Sequence, residues 1–360
     1  MRPRQLASYI APSAPATRRP ASGGEPFLRP EIGFTPDWYH AKLGINFDRR
    51  WHSDVTYRGQ VIQKMSEELK NRFPGISIGQ ISQEQETPDL LTGTFGCTAV
   101  AAIFGVPIVY VEDGWPTTAP EYLSVSQVER LDVPDLGDNT FFSNLMIQLD
   151  RIAEHQGQIV GFINWQGILN NAQRLRGPDI FTDMIDKPDL CHHLFGCICR
   201  TMIGGMLGLQ ERQRSTGVDY QFATISNCCV NMISPDHYAQ FILPYDTQIA
   251  ESFDVIGIHN CAWNADPYME YYADIPNLGY IDMGLRSNLA QARELMPNAR
   301  RALMYTPMDL ESKSIGDIHD DIMKIVACYA PCDIVVADID KDVPDRKIIE
   351  FVKLCQRYNE

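Results

Sequence analysis

The sequence predicts an α/β protein built as a (β/α)8 barrel, with an N-terminal arm and a short helical module in front of it. Eight short β-prone runs recur along the chain, and helical stretches separate most of them. With 360 residues and 44% hydrophobic content, the chain is long enough to bury the core of one such barrel. Polar residues follow several of the runs, as expected at a barrel mouth, where the chemistry of these folds occurs.

The elements are predicted in chain order. Residues 1–30 are rich in Pro, Ala, Ser and Arg and predict a flexible arm, which leaves 31–360 for the barrel. Residues 35–39 predict the capped start of a short helix, and 57–73 an amphipathic helix. The predicted strands are 76–81, 107–111, 159–163, 220–224, 254–258, 279–283, 302–305 and 333–337. The predicted helices between them are 139–155, 180–214, 235–252, 289–295 and 315–328. Run 107–111 has a second interpretation, as part of a hairpin packed outside the barrel.

Composition excludes several classes of function. The formal net charge is −15 and the chain has no basic cluster, so we expect no nucleic-acid partner. The ten cysteines are spread over a long chain, which is typical of a reducing compartment and predicts a cytoplasmic protein. Charge, Pro or Gly interrupts every hydrophobic run, so no membrane span is expected and the protein is predicted to be soluble.

His259 and Cys261 directly follow the apolar run 253–258. Residues i and i+2 of an extended segment point to the same side, so the imidazole and the thiol converge on one ion. The pair therefore predicts half of a zinc site. The competing interpretation is a buried cysteine beside a hydrogen-bonded histidine. Asp338, which follows the last predicted strand, is the predicted third ligand.

Other polar residues carry weaker predictions. Asp282 and Glu84 are the predicted catalytic residues, although Asp282 also suits orienting a ligand or capping a helix. Glu86 fits a solvated loop better than a site. One cluster has no common zinc spacing and is predicted to lie on the surface and core of a helix: Cys191, His192, His193, Cys197 and Cys199. Three residues in predicted loops suit an apolar substrate pocket or the core equally: Trp115, Trp165 and Trp263.

Five segments together resemble the uroporphyrinogen decarboxylase superfamily, over about residues 30 to 358. Their order along the chain makes the resemblance specific, and it is closest to the corrinoid-dependent methyltransferase branch. The segments are Phe34-Thr35-Pro36-Asp37-Trp38-Tyr39; Arg58 with the helix after it; Leu175-Arg176-Gly177-Pro178-Asp179-Ile180-Phe181; Ile233-Ser234-Pro235-Asp236-His237-Tyr238 with Leu243-Pro244-Tyr245; and Ile258-His259-Asn260-Cys261.

The resemblance implies a (β/α)8 barrel that binds zinc through a His-x-Cys pair and a late third ligand. His259 and Cys261 match the pair. The family's coenzyme M methyltransferases have a cysteine near the last strand, where this chain has Ala337 or Asp338. Cys328 and Cys332 are alternative third ligands, but Cys332 precedes its strand and is expected at the opposite end of the barrel.

The resulting hypothesis is a zinc-dependent methyltransferase, which moves a methyl group between a small substrate and the corrinoid of a partner protein. A carboxylate ligand at Asp338 makes the zinc more Lewis acidic and favours an ether or similar donor. Two alternatives remain open. One is a non-catalytic metal- or corrinoid-binding scaffold, and the other is a metal-independent decarboxylase. The sequence leaves open whether the protein is a homo-oligomer.

Overall fold

The computed structural model describes residues 27–76 and 87–359, which form an α/β fold around a parallel sheet. Six of the described strands form this sheet in the order β1-β8-β7-β6-β5-β4. Their bounds are β1 Leu28–Phe34, β4 Phe222–Ser226, β5 Val255–His259, β6 Leu278–Gly284, β7 Arg300–Met304 and β8 Cys332–Ile339. A separate antiparallel pair consists of β2 Ile108–Val109 and β3 Thr117–Thr118. The strand and helix alternation confirms the predicted fold class.

The helices surround the sheet and connect its strands. Their bounds are α1 Pro36–Leu43, α2 Arg49–Ser53, α3 Val55–Arg72, α4 Ala99–Ile103, α5 Val125–Val128, α6 Thr140–Gln156, α7 Ile168–Arg176, α8 Asp179–Asp186, α9 Pro188–Arg214, α10 Pro235–His237, α11 Leu243–Glu251, α12 Met269–Ala273, α13 Leu289–Leu295, α14 Pro307–Ser312, α15 Ile315–Cys328 and α16 Asp345–Gln356. A π-helical segment, Tyr238–Ile242, joins α10 to α11. The predicted helix 180–214 is divided into α8 and α9, because Pro188 starts a new helix.

Strand β1 corrects the predicted arm boundary at residue 30, since Leu28–Phe34 is almost entirely buried and pairs in parallel with β8. Arg29 and Arg300 both hydrogen-bond the fully buried carboxylate of Asp333. The Arg29 Nε to Asp333 Oδ1 distance is 2.7 Å. Arg29, which the predicted arm includes, is thus paired with a carboxylate inside the sheet.

One predicted strand, 159–163, differs from expectation. Residues 159–163 form no regular strand, because side chains satisfy their backbone: Ile159 N–H donates to Thr216, and Gly161 O accepts from Gln213. The chain just after this segment nevertheless runs beside β4, since Ser226 N–H donates to the carbonyl oxygen of Gln166. Run 107–111 contains β2 of the small antiparallel hairpin, which confirms the hairpin interpretation. Most of the predicted strand 76–81 lies outside the described residues.

The helical module in front of the barrel is held by one buried arginine. Arg58 of α3 is fully buried and donates to the carbonyl oxygens of Trp51 and Leu90 and to the Gln148 side chain. A guanidinium in this position needs several acceptors to offset its loss of hydration. Arg58 therefore ties α2 and α3 to α6 and to the loop before α4.

Helix α9 is the one described helix that is long and apolar enough, by length and composition, to cross a membrane. In its apolar window 56% of the residues are buried against the rest of the protein. This burial is what a core helix of an α/β fold shows. The helix also contains the cysteine and histidine cluster, which confirms its predicted place on a helix.

Candidate metal centre

Three potential metal ligands meet at the carboxyl ends of the neighbouring strands β4 and β5. His259 is the last residue of β5, and Cys261 follows it by two positions. Cys228 lies two positions after the end of β4. Strands β4 and β5 pair in parallel with Ser226 opposite His259. Because Cys228 and Cys261 each lie two positions beyond this pair, the register places them next to each other.

The ligand atoms of these three side chains all lie within 4.8 Å of one another. Cys261 Sγ is 2.9 Å from Cys228 Sγ and 3.1 Å from His259 Nε2. His259 is 6% exposed, whereas both thiols are half-buried. Two sulfurs and one imidazole nitrogen are a donor set that zinc commonly takes, and the partial exposure leaves the sulfur side accessible. The residues present therefore fit a zinc ion.

The backbone turns sharply at Cys261, which has φ 59°. The extended geometry that we predict from the His-x-Cys spacing thus ends at His259, and a left-handed residue directs the thiol instead. Gly284 at the end of β6 permits this turn, because a Cβ there would overlap the carbonyl oxygen of Ala262. Non-glycine residues in this conformation are uncommon and concentrate at functional sites.

Asp282 of β6 orients the histidine. Its carboxylate accepts hydrogen bonds from His259 Nδ1 at 2.7 Å, Asn260 N at 2.7 Å and Tyr280 Oη at 3.0 Å. With Nδ1 donating to Asp282, the lone pair lies on Nε2, which faces Cys261. Asp282 is fully buried, so these protein groups, rather than solvent, surround its carboxylate.

The predicted site residues thus have different positions. His259, Cys261 and Asp282 come together as predicted, but Asp338 is not part of the three-residue group. Asp338 lies in β8 with φ 60°, and its side chain is exposed, in contrast to the buried Ala337 before it. Glu84 and Glu86 lie outside the described residues. The alternative ligand Cys332 is fully buried at the start of β8, the opposite end of the strand, as predicted.

The remaining predicted cysteine cluster has no ligand geometry. Burial raises the pKa of Cys191 to about 12 and that of Cys199 to about 12, so both thiols stay protonated. Local spacing in the sequence does not indicate Cys228 as a potential ligand. The signal lies in the register, because Cys228 and Cys261 stand at equal distances beyond the paired residues Ser226 and His259.

Comparison with known proteins identifies the family. The family model of uroporphyrinogen decarboxylase (URO-D) matches residues 83–304, more than half of the chain. The chain therefore belongs to the uroporphyrinogen decarboxylase family. Cys228, His259, Cys261 and Asp282 lie inside the matched segment, whereas Asp338 lies beyond it.

A solved structure supports the fold. A methyltransferase from Methanosarcina mazei is similar with a TM-score of 0.66 and 14% sequence identity, over 100% of this chain and 95% of that one. A B12-independent methionine synthase from Shewanella sp. W3-18-1 in complex with selenomethionine has a TM-score of 0.43 and 8% identity, over 93% of this chain and 96% of that one, which is too low to carry an argument. No curated protein matches this sequence significantly.

Proposed function

We propose that this protein is a zinc-dependent methyltransferase, with the zinc held by Cys228, His259 and Cys261. The convergence of these three side chains at the carboxyl ends of β4 and β5 carries the proposal. That end of the sheet is where barrel enzymes place their active sites. Three protein ligands are typical of catalytic zinc, which keeps a fourth position for substrate.

The zinc would act as a Lewis acid toward the heteroatom of the substrate that gains or loses the methyl group. Two thiolates offset the charge of the zinc more than one thiolate would. The preference for an ether donor depended on Asp338 as a ligand, so it no longer follows. A zinc site with two cysteines and one histidine still accepts an oxygen ligand, as in alcohol dehydrogenase. The substrate class is therefore a small molecule with an oxygen or sulfur atom that carries the methyl group.

Asp282 acts as a positioning residue in this proposal, although the sequence suggested a catalytic one. It is fully buried and already accepts three hydrogen bonds, so it holds His259 and does not touch the substrate. Carboxylates that fix the second nitrogen of a metal-binding histidine are common at zinc sites. Glu84 remains the proposed acid or base that acts on the substrate.

The second reactant is the corrinoid of a partner protein. Support for this comes from the sequence resemblance to corrinoid-dependent methyltransferases, while the structural likeness to the Methanosarcina mazei methyltransferase supports only the methyl transfer. A corrinoid protein has to approach the half-buried thiols, so we propose that it docks over the carboxyl ends of β4 and β5. It must also leave again for the carried methyl group to reach another acceptor.

Metal content tests the proposal first. We expect about one zinc per chain in the purified protein and none in Cys261→Ala. The wild-type protein should then methylate free cob(I)alamin from a small methoxy or methylthio compound, which changes the visible spectrum of the corrinoid. Zinc without any methyl transfer would support a non-catalytic scaffold. A metal-free protein that decarboxylates a small acid would replace this proposal with the decarboxylase alternative.

A further inference from the structure

Cys228 lies on a segment without regular secondary structure. Residues 227–229 connect the end of β4 to the 3₁₀ turn Val230–Met232. A ligand on such a segment binds metal tightly only when the chain around it is fixed beforehand, because ordering on binding costs conformational entropy. Two buried polar clusters contact this segment, one on each side of Cys228.

The first cluster consists of Asp246, Asn227 and Tyr238. Asn227 Nδ2 donates to Asp246 Oδ2 at 2.7 Å, and the Tyr238 hydroxyl donates to the same oxygen at 2.9 Å. Asp246 and Tyr238 are fully buried, and Asn227 is 1% exposed. Asn227 N–H also donates to the carbonyl oxygen of His259 at 2.7 Å. The residue before Cys228 is therefore fixed through both its side chain and its backbone.

The second cluster is an amide chain formed by Asn164, Gln166 and Asn170. Cys229 N–H donates to Asn170 Oδ1 at 3.1 Å, and Asn170 Nδ2 donates to Gln166 Oε1 at 2.8 Å. Gln166 Nε2 in turn donates to Asn164 Oδ1 at 3.1 Å. All three amides are at most 8% exposed. The residue after Cys228 is therefore fixed from the other side.

Close backbone packing supports this arrangement. A Cβ at Gly167, inside the segment that carries the amide chain, would overlap the carbonyl oxygen of Ser226 and come within 2.9 Å of Asn227 Oδ1. Gln166 has φ 60°, an uncommon conformation for glutamine. The two segments thus lie in direct contact, and the amides fill the interface between them.

We propose that Asp246 and Asn170 are positioning residues, which hold Cys228 from its two sides in the geometry that binds metal. This inference rests on the proposed function, because it assigns the two residues a role at the same zinc site. Neither residue belongs to the ligand group. Each acts through the backbone or side chain of a neighbour of Cys228. Partners of this kind typically change metal affinity by roughly 10- to 100-fold when they are lost.

Zinc affinity tests the Asn170 half of the proposal. We expect Asn170→Leu to weaken zinc binding roughly 10- to 100-fold, measured by competition with a chromophoric chelator. Asn170→Asp keeps an oxygen that accepts from Cys229 N–H but loses the donor to Gln166 Oε1, so it should recover part of the affinity that Asn170→Leu loses. Cobalt substitution adds a spectroscopic readout, since a displaced Cys228 lowers the intensity of the thiolate-to-cobalt charge-transfer band.

The Asp246 half has an analogous pair of variants. Asp246→Leu removes the acceptor of Asn227 Nδ2, and we expect a loss of zinc affinity in the same range. Asp246→Asn keeps one oxygen acceptor, so its affinity should lie close to that of the wild type. If Asp246→Leu does not fold, Tyr238→Phe tests the same cluster, because this change removes one hydroxyl and little volume. We then expect Tyr238→Phe to bind zinc more weakly than the wild type.

Gln213→Leu is the matched control. Gln213 is 1% exposed, and its side chain donates to the carbonyl oxygen of Gly161 and not to residues 227–229. It should lose folding stability in urea and keep wild-type zinc affinity. A wild-type protein without zinc affinity would refute the proposed function itself. Tight zinc binding by the wild type, Asn170→Leu and Asp246→Leu alike would refute only the positioning role.

Discussion

Cys228 Sγ and Cys261 Sγ lie 2.9 Å apart, although the two residues are separated by 33 positions in the sequence. Parallel pairing of β4 with β5 creates this proximity, because each cysteine stands two positions beyond the paired residues Ser226 and His259. A parallel sheet thus assembles a metal site from two strand ends without any local sequence motif that contains all the ligands.

The two adjacent cysteines after β4 give a sharp test of the ligand set. We expect Cys228→Ala to lose the bound zinc and Cys229→Ala to keep it, because Cys229 Sγ contacts Gln173 and burial raises its pKa to about 11. Metal analysis of the purified variants measures this. Asp338→Asn should also keep its zinc. A zinc-free Asp338→Asn with a zinc-loaded Cys228→Ala would reinstate Asp338 as the third ligand.

Removing the charge of Asp282 should weaken the metal site without abolishing it. In Asp282→Asn the hydrogen bond to His259 Nδ1 loses its ionic acceptor, and we expect zinc affinity to fall by roughly 10- to 100-fold. Tyr280→Phe, which removes one of the donors to Asp282, should have a smaller effect. Chelator competition measures both. Equal affinities for Asp282→Asn and the wild type would show that Asp282 does not orient the ligand.

The buried charge cluster on β1, β7 and β8 should affect folding stability and leave metal binding unchanged. Asp333→Ala leaves Arg29 and Arg300 buried without their shared carboxylate, at a cost of about 3–5 kcal/mol in the free energy of unfolding. Urea denaturation measures this loss. The folded protein should still bind zinc with wild-type affinity, since Asp333 is in the first half of β8 and outside the ligand group. A variant as stable as the wild type would contradict the assigned role.

Asp246 predicts a distinct pH dependence of stability. Burial raises the pKa of Asp246 from 3.8 to about 7, so between these values the folded state holds a proton that the unfolded state has released. The contribution of this residue is therefore complete below about pH 4 and falls as the pH rises toward 7. Urea unfolding between pH 5 and pH 8 measures the slope. Asp246→Asn should show a smaller loss across this range, and identical slopes would disprove the assignment.

Much of the fold follows from local pattern. The runs predicted at 254–258, 279–283, 302–305 and 333–337 coincide closely with β5 to β8, because each is a short apolar stretch bounded by turn residues. Strand β1 is not predicted from the sequence, because Arg29 and Glu31 interrupt its apolar pattern. The burial of Arg29 depends on its partner Asp333, which is 304 positions away in the sequence.

The site was predictable only in part, for a similar reason. His259 and Cys261 share one strand end, so their local spacing indicated a ligand pair. The position of Cys228 depends on the register between two strands, which a single sequence does not encode in any short window. The sequence predicts Asp282 at the barrel mouth, and the structure puts its carboxylate against His259. Its burial, which argues against contact with substrate, depends on the packing of β6 and is not readable from the local sequence.

Strand β1 also bears on how the protein is made. Among the described strands it pairs with β8, and Leu28 further exchanges two hydrogen bonds with the side chain of Asn359 near the other end of the chain. On the ribosome, β1 must wait for about 300 residues of synthesis before this partner emerges. This part of the sheet is therefore completed late, and removal of β8 would expose the edge of β1, which is synthesised about 300 residues earlier.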